Sequence, residues 1–411
     1  MDERMEGVYF GIDISDKYTM ISFYQLHMDE PDTISTVMGS EVYQIPTILA
    51  KKKGLGQWFF GEEAKRQEKM NHAVGVDQLL SKALTNQQVF LEGESYGARE
   101  LMVIYIKRLL SIPGHFYANA PLEKLVITVE NISMELTELF TMVAGRLGLE
   151  SDQIMMIDHR ESFYYYALNQ DPQIFLHDVA LFDYTKKTLQ HCILERNLNT
   201  RPQVIQMLQG NHGSLIEERD REFEEVITRT FAGKIISSVY LIGDGFDGDW
   251  MKLSLNKLCK GRRVFLGKNL YSKGACYAGV VKDEKIDWPF VYMGDNELKL
   301  NLSIKVINQN EMQFFTLITA GESWYESKGE CEAILDGTPE IEFWIQKPDS
   351  REAKVEVLEL TDLPMRENRT TRLRIEAKPL SDTEIMVVLK DLGFGEIIPS
   401  SGQTWEHIMH V

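Results

Sequence analysis

Two aspartates, Asp13 and Asp183, are the residues whose type and setting first suggest chemistry. Each ends an apolar run and is followed by a polar turn that contains lysine, and a second apolar run begins near a threonine. The two turns are Ser15-Asp16-Lys17 and Tyr184-Thr185-Lys186-Lys187-Thr188. A carboxylate in this position either binds a cation or caps the turn, and the sequence leaves both roles open.

The elements that must hold these residues are two β-hairpins, which paired β-rich runs predict over residues 7–24 and 178–195. The two hairpins share the same order of aspartate, lysine and threonine. Repetition at this scale indicates a duplicated domain.

Strand patterns and helix patterns alternate around the hairpins. Strands are predicted at 125–129, 154–157, 239–242 and 264–266, and helices between Ser133 and Gly148, at 161–168, near 217–231 and near 273–280. Gly243-Asp244-Gly245 forms a glycine turn directly after one of these strands. Strands that alternate with helices predict an α/β sheet that is covered on both faces.

The pattern changes at about residue 295, where apolar and polar residues begin to alternate strictly. This alternation continues to about residue 389 and is typical of antiparallel strands. No helix is predicted before the last few residues. We therefore predict α/β lobes at 1–175 and 176–292, the second of them reduced, and a separate all-β domain at 295–411.

Composition limits the partners. The chain has 411 residues, and its 62 acidic and 44 basic residues give a formal net charge of −18. This charge repels phosphate backbones and anionic lipid, so neither nucleic acid nor a membrane surface is an expected partner. The basic cluster Lys51-Lys52-Lys53 is interpreted as a solvated turn.

The cysteines, the hydropathy and the first residues indicate the expected cellular compartment of the protein. Four cysteines are widely spaced, which argues against a disulfide scaffold and a cysteine-rich zinc site. No apolar run approaches the ~18–20 residues of a membrane span. The first residues are acidic and do not resemble a secretory leader. A cytoplasmic protein is expected.

The order of two aspartate hairpins and a later glycine turn resembles that of the actin/hexokinase/DnaK ATPases, and most closely DnaK-type heat-shock chaperones. Gly11-Ile12-Asp13 matches the start of their first phosphate loop. Further similar fragments, in chain order, are Ile45-Pro46-Thr47-Ile48, Gly61–Gln67, Val126–Val129, Glu161–Ala167, Glu359–Pro364, Leu373–Glu376 and Val387–Asp391. The resemblance covers nearly the whole chain. It implies a duplicated actin-like (ribonuclease H-like) ATPase domain, followed by a β-sandwich like the DnaK substrate-binding domain.

The resemblance also implies roles for individual residues. Lys65 would contact the γ-phosphate, and Glu161 and Asp183 would act with it in catalysis. Asp13 and Asp183 would hold Mg²⁺ through water. The residues that would contact nucleotide are Asp13, Ser15, Asp16, Lys17, Thr185, Lys186, Lys187, Thr188, Gly243, Asp244 and Gly245. The ordinary alternatives are a helix-surface lysine at 65 and a helix N-terminal acid at 161.

Departures from the family pattern lie at the nucleotide site itself. The second phosphate loop lacks the three glycines of Asp-x-Gly-Gly-Gly-Thr, and with them the conformations that allow close backbone approach. Asp16 would place a carboxylate near phosphate, which costs about 4 kcal/mol at ~4 Å and an effective dielectric of ~20. Gln190 replaces an acid of the magnesium shell, and the short stretch 196–216 predicts that the lobe over the adenine is severely reduced.

We therefore predict a DnaK-like protein that does not hydrolyse nucleotide and binds ATP or ADP with Mg²⁺ weakly or not at all. A protein or peptide partner would bind the C-terminal β-domain. The partner would dissociate quickly, because the roughly twenty residues after Lys390 are too few to form a helical lid over it. The alternative is an active Mg-ATP-dependent chaperone-type ATPase, since the key residues remain in order. A sugar kinase is a weaker alternative because it has no use for the β-domain. His159 is expected to be an ordinary surface residue.

Overall fold

The computed structural model describes residues 6–37, 39–112, 120–185 and 187–410 of the chain. Lys186, one of the predicted nucleotide contacts, lies outside these residues. The chain forms two units. Unit 1 comprises the residues up to Leu194 together with Leu208–Trp288, and unit 2 comprises Glu195–Met207 together with the residues from Pro289 onward. The protein is a mixed α/β protein that is rich in strands and contains several sheets.

The first half of unit 1 contains a hairpin, an inserted region of short elements, and two strand–helix pairs. Its elements are β1 (Val8–Ile14), β2 (Tyr18–Tyr24), β3 (Asp32–Thr33), β4 (Ile45–Pro46), β5 (Leu49–Lys52), β6 (Trp58–Phe60), α1 (Gly61–Lys69), β7 (Ala73–Val76), α2 (Leu79–Leu84), β8 (Gln88–Leu91), β9 (Glu94–Gly97), α3 (Ala98–Ser111), β10 (Leu122–Val129), α4 (Met134–Leu147), β11 (Ile154–Asp158) and α5 (His159–Leu168).

The main sheet of this half has the strand order β11-β10-β1-β2-β3, with β4 also paired to β2. β1 is antiparallel to β2 and parallel to β10, which is in turn parallel to β11. Every residue of β1 is buried, as expected for a central strand covered on both faces. The predicted helix cap is confirmed, because the Leu136 amide donates to Ser133 Oγ at 3.3 Å and Gly148 ends α4 with φ of 79°.

The second half of unit 1 repeats this arrangement. Its elements are β12 (Asp178–Thr185), β13 (Thr188–Asn197), β14 (Gln203–Gly213), α6 (Arg219–Thr230), β15 (Ile236–Ile242), α7 (Leu253–Leu258), β16 (Arg263–Gly267) and α8 (Leu270–Lys282). The residues of β13 and β14 between Glu195 and Met207 belong to unit 2. The strand order is β16-β15-β12-β13-β14. β12 is antiparallel to β13 and parallel to β15, which is parallel to β16. Both predicted hairpins are therefore present, and residues 196–216 lie mostly in and around strand β14.

Two helices pack closely at the centre of unit 1. α8 lies against β1 so tightly that a Cβ on Gly11 would come within 2.0 Å of the Ser272 carbonyl oxygen. It also packs against α5, where a Cβ on Gly274 would come within 2.0 Å of the Ser162 carbonyl oxygen. These two glycines allow the close approach. As a result, the first residues of α5 and α8 lie beside the ends of β1 and β12.

Unit 2 is built from strands. Its elements are β17 (Phe290–Met293), β18 (Asn301–Asn308), β19 (Glu311–Ile318), β20 (Gly329–Ile334), β21 (Glu340–Gln346), β22 (Ala353–Glu359), β23 (Arg372–Pro379), β24 (Glu384–Gly393) and β25 (Thr404–His410). β17 runs parallel to residues 203–206 of β14. The other strands form two four-stranded sheets, ordered β19-β18-β21-β22 and β20-β23-β24-β25.

The sequence pattern anticipated this alternation of strands but not its end. The buried residues of both sheets form one hydrophobic cluster that includes Leu302, Phe343, Ile375 and Leu389. The sequence left a helix possible for the last residues, but these residues form β25, which pairs antiparallel with β24.

Within the residues that the structure describes, no helix is long and apolar enough to cross a membrane.

Candidate functional site

The candidate site lies where four elements of unit 1 meet. Asp13 lies near the carboxyl end of β1, where it pairs with Thr128 near the end of β10. Asp183 occupies the corresponding place on β12, where it pairs with Ile242 at the end of β15. His159 is the first residue of α5 and Tyr271 is the second residue of α8. We call Asp13, His159, Tyr271 and Asp183 the clasp.

The closest contact of the clasp is an ion pair. His159 Nε2 lies 2.8 Å from Asp13 Oδ1, and 21% and 11% of the two side chains are exposed. The imidazole stacks on the Tyr271 ring, with 3.9 Å between ring centroids and 8° between planes. Burial disfavours the charged imidazole, but the charge and hydrogen bond of Asp13 outweigh it and raise the pKa of His159. The contact therefore favours a protonated His159 that is paired with the Asp13 carboxylate.

Asp183 forms the other side of the clasp. The Thr185 hydroxyl donates to Asp183 Oδ1, and the Tyr271 hydroxyl lies 3.5 Å from Asp183 Oδ2. Burial raises the pKa of Asp183, although Thr185 and the charge of His159 oppose this. Burial and the charge of Asp183 raise the pKa of the Tyr271 hydroxyl well above its ordinary value. Tyr271 thus contacts both His159 and Asp183, as a neutral phenol.

The start of α5 fixes the position of His159. Asp158 caps the helix, and its Oδ1 accepts a hydrogen bond from the Glu161 amide at 2.8 Å. Its other oxygen accepts from Arg160 at 2.7 Å, and Arg160 also donates to Gln209 at 2.9 Å. Glu161, a predicted catalytic residue, is buried in the first turn. A capped first turn holds the His159 ring toward β1.

The residues of the first predicted phosphate loop form hydrogen bonds to other residues of the protein. Ser15 Oγ donates to the Tyr18 carbonyl at 2.9 Å and accepts from the Tyr18 amide at 3.2 Å. The Asp16 carboxylate accepts hydrogen bonds from the amide and hydroxyl of Ser81 in the first turn of α2. Asp16 therefore caps a helix, a role that its position in the turn did not indicate.

Two of the predicted lysines, Lys17 and Lys65, lie beside the same aromatic ring. The ammonium of Lys17 lies 5.0 Å from the centroid of the Tyr18 ring, and that of Lys65 lies 5.3 Å from it. Both contacts have cation–π geometry. Within the described residues, no hydrogen bond or ion pair joins Lys65 to Asp13 or Asp183.

The second predicted loop is a tight turn between Thr185 and Thr188, which pair across the hairpin. Lys187 is exposed and has φ of 63°, a conformation that a non-glycine residue adopts at some cost. Lys186 is outside the described residues. Nothing glycine-rich is present here to bring backbone N–H groups toward a phosphate.

The glycine turn after β15 is pressed against the second hairpin. A Cβ on Gly243 would lie 2.6 Å from the Tyr184 carbonyl oxygen, and one on Gly245 would lie 2.5 Å from the same atom. Gly243 also has φ of 99°. Asp244 is exposed and begins a short 3-10 helix. The glycines thus meet a packing requirement within the protein.

Side chains of unit 1 hold the glycine turn in this place. Arg219 and Trp250 donate to the Gly245 carbonyl at 2.7 and 3.2 Å. The Arg219 guanidinium lies 4.4 Å from the Trp250 ring and 5.4 Å from the Tyr184 ring. Phe246 stacks on Trp250 at 6.2 Å. Aromatic side chains of the protein therefore fill the space beside this turn.

The predicted site residues thus separate into groups. Asp13 and Asp183 meet through His159 and Tyr271, whereas Lys17 and Lys65 meet at Tyr18. The sequence interpretation of His159 as an ordinary surface residue is wrong, and Tyr271 was missed. Within the described residues, no group of three or more histidine, cysteine, aspartate or glutamate side chains is arranged to hold a metal ion.

Comparison with known families gives two matches. The model described as "Family of unknown function (DUF5716) C-terminal" matches residues 30–295. The model described as "Domain of unknown function (DUF8552)" matches residues 297–411. The first match covers more than half of the chain and includes every residue of the clasp except Asp13.

Proposed function

The chain belongs to the DUF5716 C-terminal family, and we propose that it is a non-hydrolysing binding protein built on an actin-like, DnaK-type fold. In this proposal the clasp takes the place of Mg-nucleotide between the two hairpins. A protein or peptide partner binds the C-terminal β-structure. The ion pair between His159 and Asp13 is the observation that carries the proposal.

The fold assignment is supported by the repetition within unit 1. Both halves place a hairpin strand at the centre of the sheet, with two parallel strands on one side. Each central strand ends near an aspartate, as the resemblance to the actin/hexokinase/DnaK ATPases implies. The two four-stranded sheets of unit 2 agree with a β-sandwich.

The clasp argues against a hydrated Mg²⁺ at Asp13. A metal ion held there through water would have to compete with an imidazolium at 2.8 Å. At an effective dielectric of ~20, this contact contributes about 6 kcal/mol of attraction before desolvation is subtracted. The ring of Tyr271 covers one face of the imidazole, so a metal-bound water would also have to displace an aromatic stack.

The residues around the clasp also fit a nucleotide poorly. Asp16 is engaged with Ser81, and the second turn offers side chains where a phosphate cradle needs glycine N–H groups. Gly243 and Gly245 are pressed against Tyr184. The first loop and the glycine turn therefore have partners within the protein, and the second turn lacks the glycines of a phosphate cradle.

The rival function is an active Mg-ATP-dependent chaperone-type ATPase. Its support is that Lys17 and Lys65 converge at one ring, where two cations suit an anionic ligand. For this function, His159 would have to leave Asp13 before metal could bind.

Calorimetric titration of the full chain with Mg-ATP separates the two functions. We expect no saturable binding to the wild type in the micromolar range. The same titration on His159→Gln asks whether opening the clasp restores a metal site. Micromolar affinity of the wild type, together with hydrolysis that Asp183→Ala abolishes, would establish the rival and refute the proposal.

A further inference from the structure

The sheet β19-β18-β21-β22 of unit 2 exposes an apolar outer face. Leu302, Ile304, Phe343 and Ile345 are buried in the hydrophobic cluster of the unit. Because side chains alternate along a strand, the residues between them point the opposite way. The exposed apolar side chains on this outer side, with their exposed fractions, are Ile307 59%, Met312 68%, Phe314 55%, Val355 40% and Val357 52%. Phe315, 39% exposed, is directly opposite Ile304 and points the other way.

These side chains join into one surface that extends over all four strands. Phe314 contacts Trp344 edge to face, with 5.2 Å between ring centroids. Trp344 is directly opposite Val355 on β22, and Val357 is the next residue on the same face. Ile307 is directly opposite Met312 at the other end. We call this surface the outer face. Contiguous apolar surface of this kind marks interaction sites.

Carboxylates border the outer face. Glu340, Glu342 and Glu359 are exposed on this side, and none of them forms an ion pair within the described residues. Glu342 is directly opposite Val357 and accepts a hydrogen bond from Trp344 Nε1 at 3.3 Å. Glu340 and Glu359 are directly opposite each other on β21 and β22. Like charges in this position repel each other and destabilise the strand pair. Lys305 is the one basic side chain of the strands on this face, and its ammonium lies 4.3 Å from the Trp344 ring. A basic partner would relieve the repulsion at the border.

We propose that the outer face binds an amphipathic helix of a partner protein, with an apolar stripe flanked by basic residues. This rests on the proposed function, in which the C-terminal β-structure binds a partner, and it names the surface and the partner's chemistry. A second copy of the chain is disfavoured, because it would bring the same acidic border against this one.

The spacing of the apolar residues selects a helix. From β19 to β22 is three strand spacings, or ~14 Å. A helix is ~10 Å wide, and about ten residues of it span ~15 Å, so a helix laid across the strands covers both Phe314 and Val357. A strand added at the edge of β19 would extend the sheet and leave Val357 uncovered. Both residues therefore contribute to binding only if the ligand crosses the face.

The test uses the full chain and a synthetic helical peptide with leucines along one face and lysines beside them. Binding is measured by fluorescence anisotropy. We expect saturable binding that weakens with salt. Phe314→Ser and Val357→Ser should each weaken binding about tenfold, which corresponds to about 1.4 kcal/mol. The control is Ile408→Ser, which changes a comparably exposed residue, 46%, on β25 of the other sheet; it should leave affinity within about twofold.

The charged border is tested separately. Glu359→Gln should weaken binding and flatten its dependence on salt. The same peptide with glutamates in place of lysines should not bind. Equal binding of the two peptides would overturn the charge argument and with it the proposed partner.

Three other results would overturn the proposal. Absence of binding by the lysine peptide is one. The second is stronger binding of an alternating valine–threonine strand peptide that depends on Phe314 but not on Val357, which would assign an edge strand as ligand. The third is self-association of the chain that Phe314→Ser abolishes. None of these results depends on the clasp, which the Mg-ATP titration tests on its own.

Discussion

Replacing His159 with glutamine should destabilise unit 1 in a pH-dependent way. The imidazole and the Asp13 carboxylate are both largely buried, so the change leaves a carboxylate without its cation. Breaking a buried pair costs about 3–5 kcal/mol. Because part of each side chain is exposed to water, we expect a loss of about 2–4 kcal/mol in the free energy of unfolding.

The pH dependence identifies the ion pair as the cause. The pKa of His159 is raised in the folded protein, so its contribution is complete below its ordinary value of about 6.5 and is lost as pH rises through the folded value. Burial beside His212 lowers the pKa of His191 to about 4, so that residue acts in the opposite sense below about 6.5. Above about pH 6.5 His191 no longer contributes, so the difference between wild type and His159→Gln in that window reports on the ion pair.

Urea denaturation followed by circular dichroism is the assay, because the described helices all lie in unit 1. The wild type should lose stability as pH rises from about 6.5 to about 9, by at most about 1.4 kcal/mol per pH unit. His159→Gln should lack this slope. The control is His27→Gln, which removes a contact with Glu6 whose histidine is 65% exposed; it should have little effect. Parallel pH profiles for wild type and His159→Gln would show that the pair of His159 and Asp13 does not cause the slope.

Three further substitutions have definite expected outcomes. Asp183→Asn should raise the melting temperature at neutral pH, since burial raises the pKa of Asp183 and ionisation therefore costs folding energy; a lower melting temperature would contradict this. Asp391→Asn should cost about 3–5 kcal/mol in urea, because Asp391 is fully buried and accepts two hydrogen bonds from Arg366; a loss below about 1 kcal/mol would contradict the burial argument. Gly243→Ala should cost about 2–4 kcal/mol by thermal denaturation, since its Cβ would contact Tyr184, whereas Gly248→Ala, with φ of 92° and open space, should cost only about 1 kcal/mol.

Elements that depend on local patterns could be predicted from the sequence. The hairpins follow from paired β-rich runs with an aspartate and a lysine between them, and the cap of α4 follows from Ser133 and Gly148. The strands of unit 2 follow from strict alternation around residues such as Leu302 and Ile304. In each case neighbouring residues determine the structure.

Features that depend on distant packing could not be predicted in this way. Lys51 was interpreted as part of a solvated turn, but it lies buried in β5 and pairs with Glu94, 43 residues away. Asp16 meets Ser81 only because α2 lies beside the first turn. The final strand, β25, forms because β24 offers an edge for pairing. Polar patterns alone do not show such partners.

The contacts of the clasp could be predicted from the sequence only in part. His159 lies two residues after the strand predicted at 154–157, and the carboxyl ends of parallel strands meet at one edge of a sheet. The sequence therefore contained a signal that His159 lies close to Asp13. Tyr271 offered none, because its stacking on His159 requires α8 to cross from the second half of unit 1 to β1.

Titration of His159 by nuclear magnetic resonance, with and without Mg-ATP, tests whether the clasp takes the place of Mg-nucleotide. The resonance can be assigned by its absence in His159→Gln. If the clasp takes the place of metal and nucleotide, the pKa of His159 lies above about 6.5 and is unchanged when Mg-ATP is added. A pKa at or below that value would show that His159 does not form a stable ion pair with Asp13, and a resonance that shifts with saturable Mg-ATP binding would show that the clasp does not exclude nucleotide.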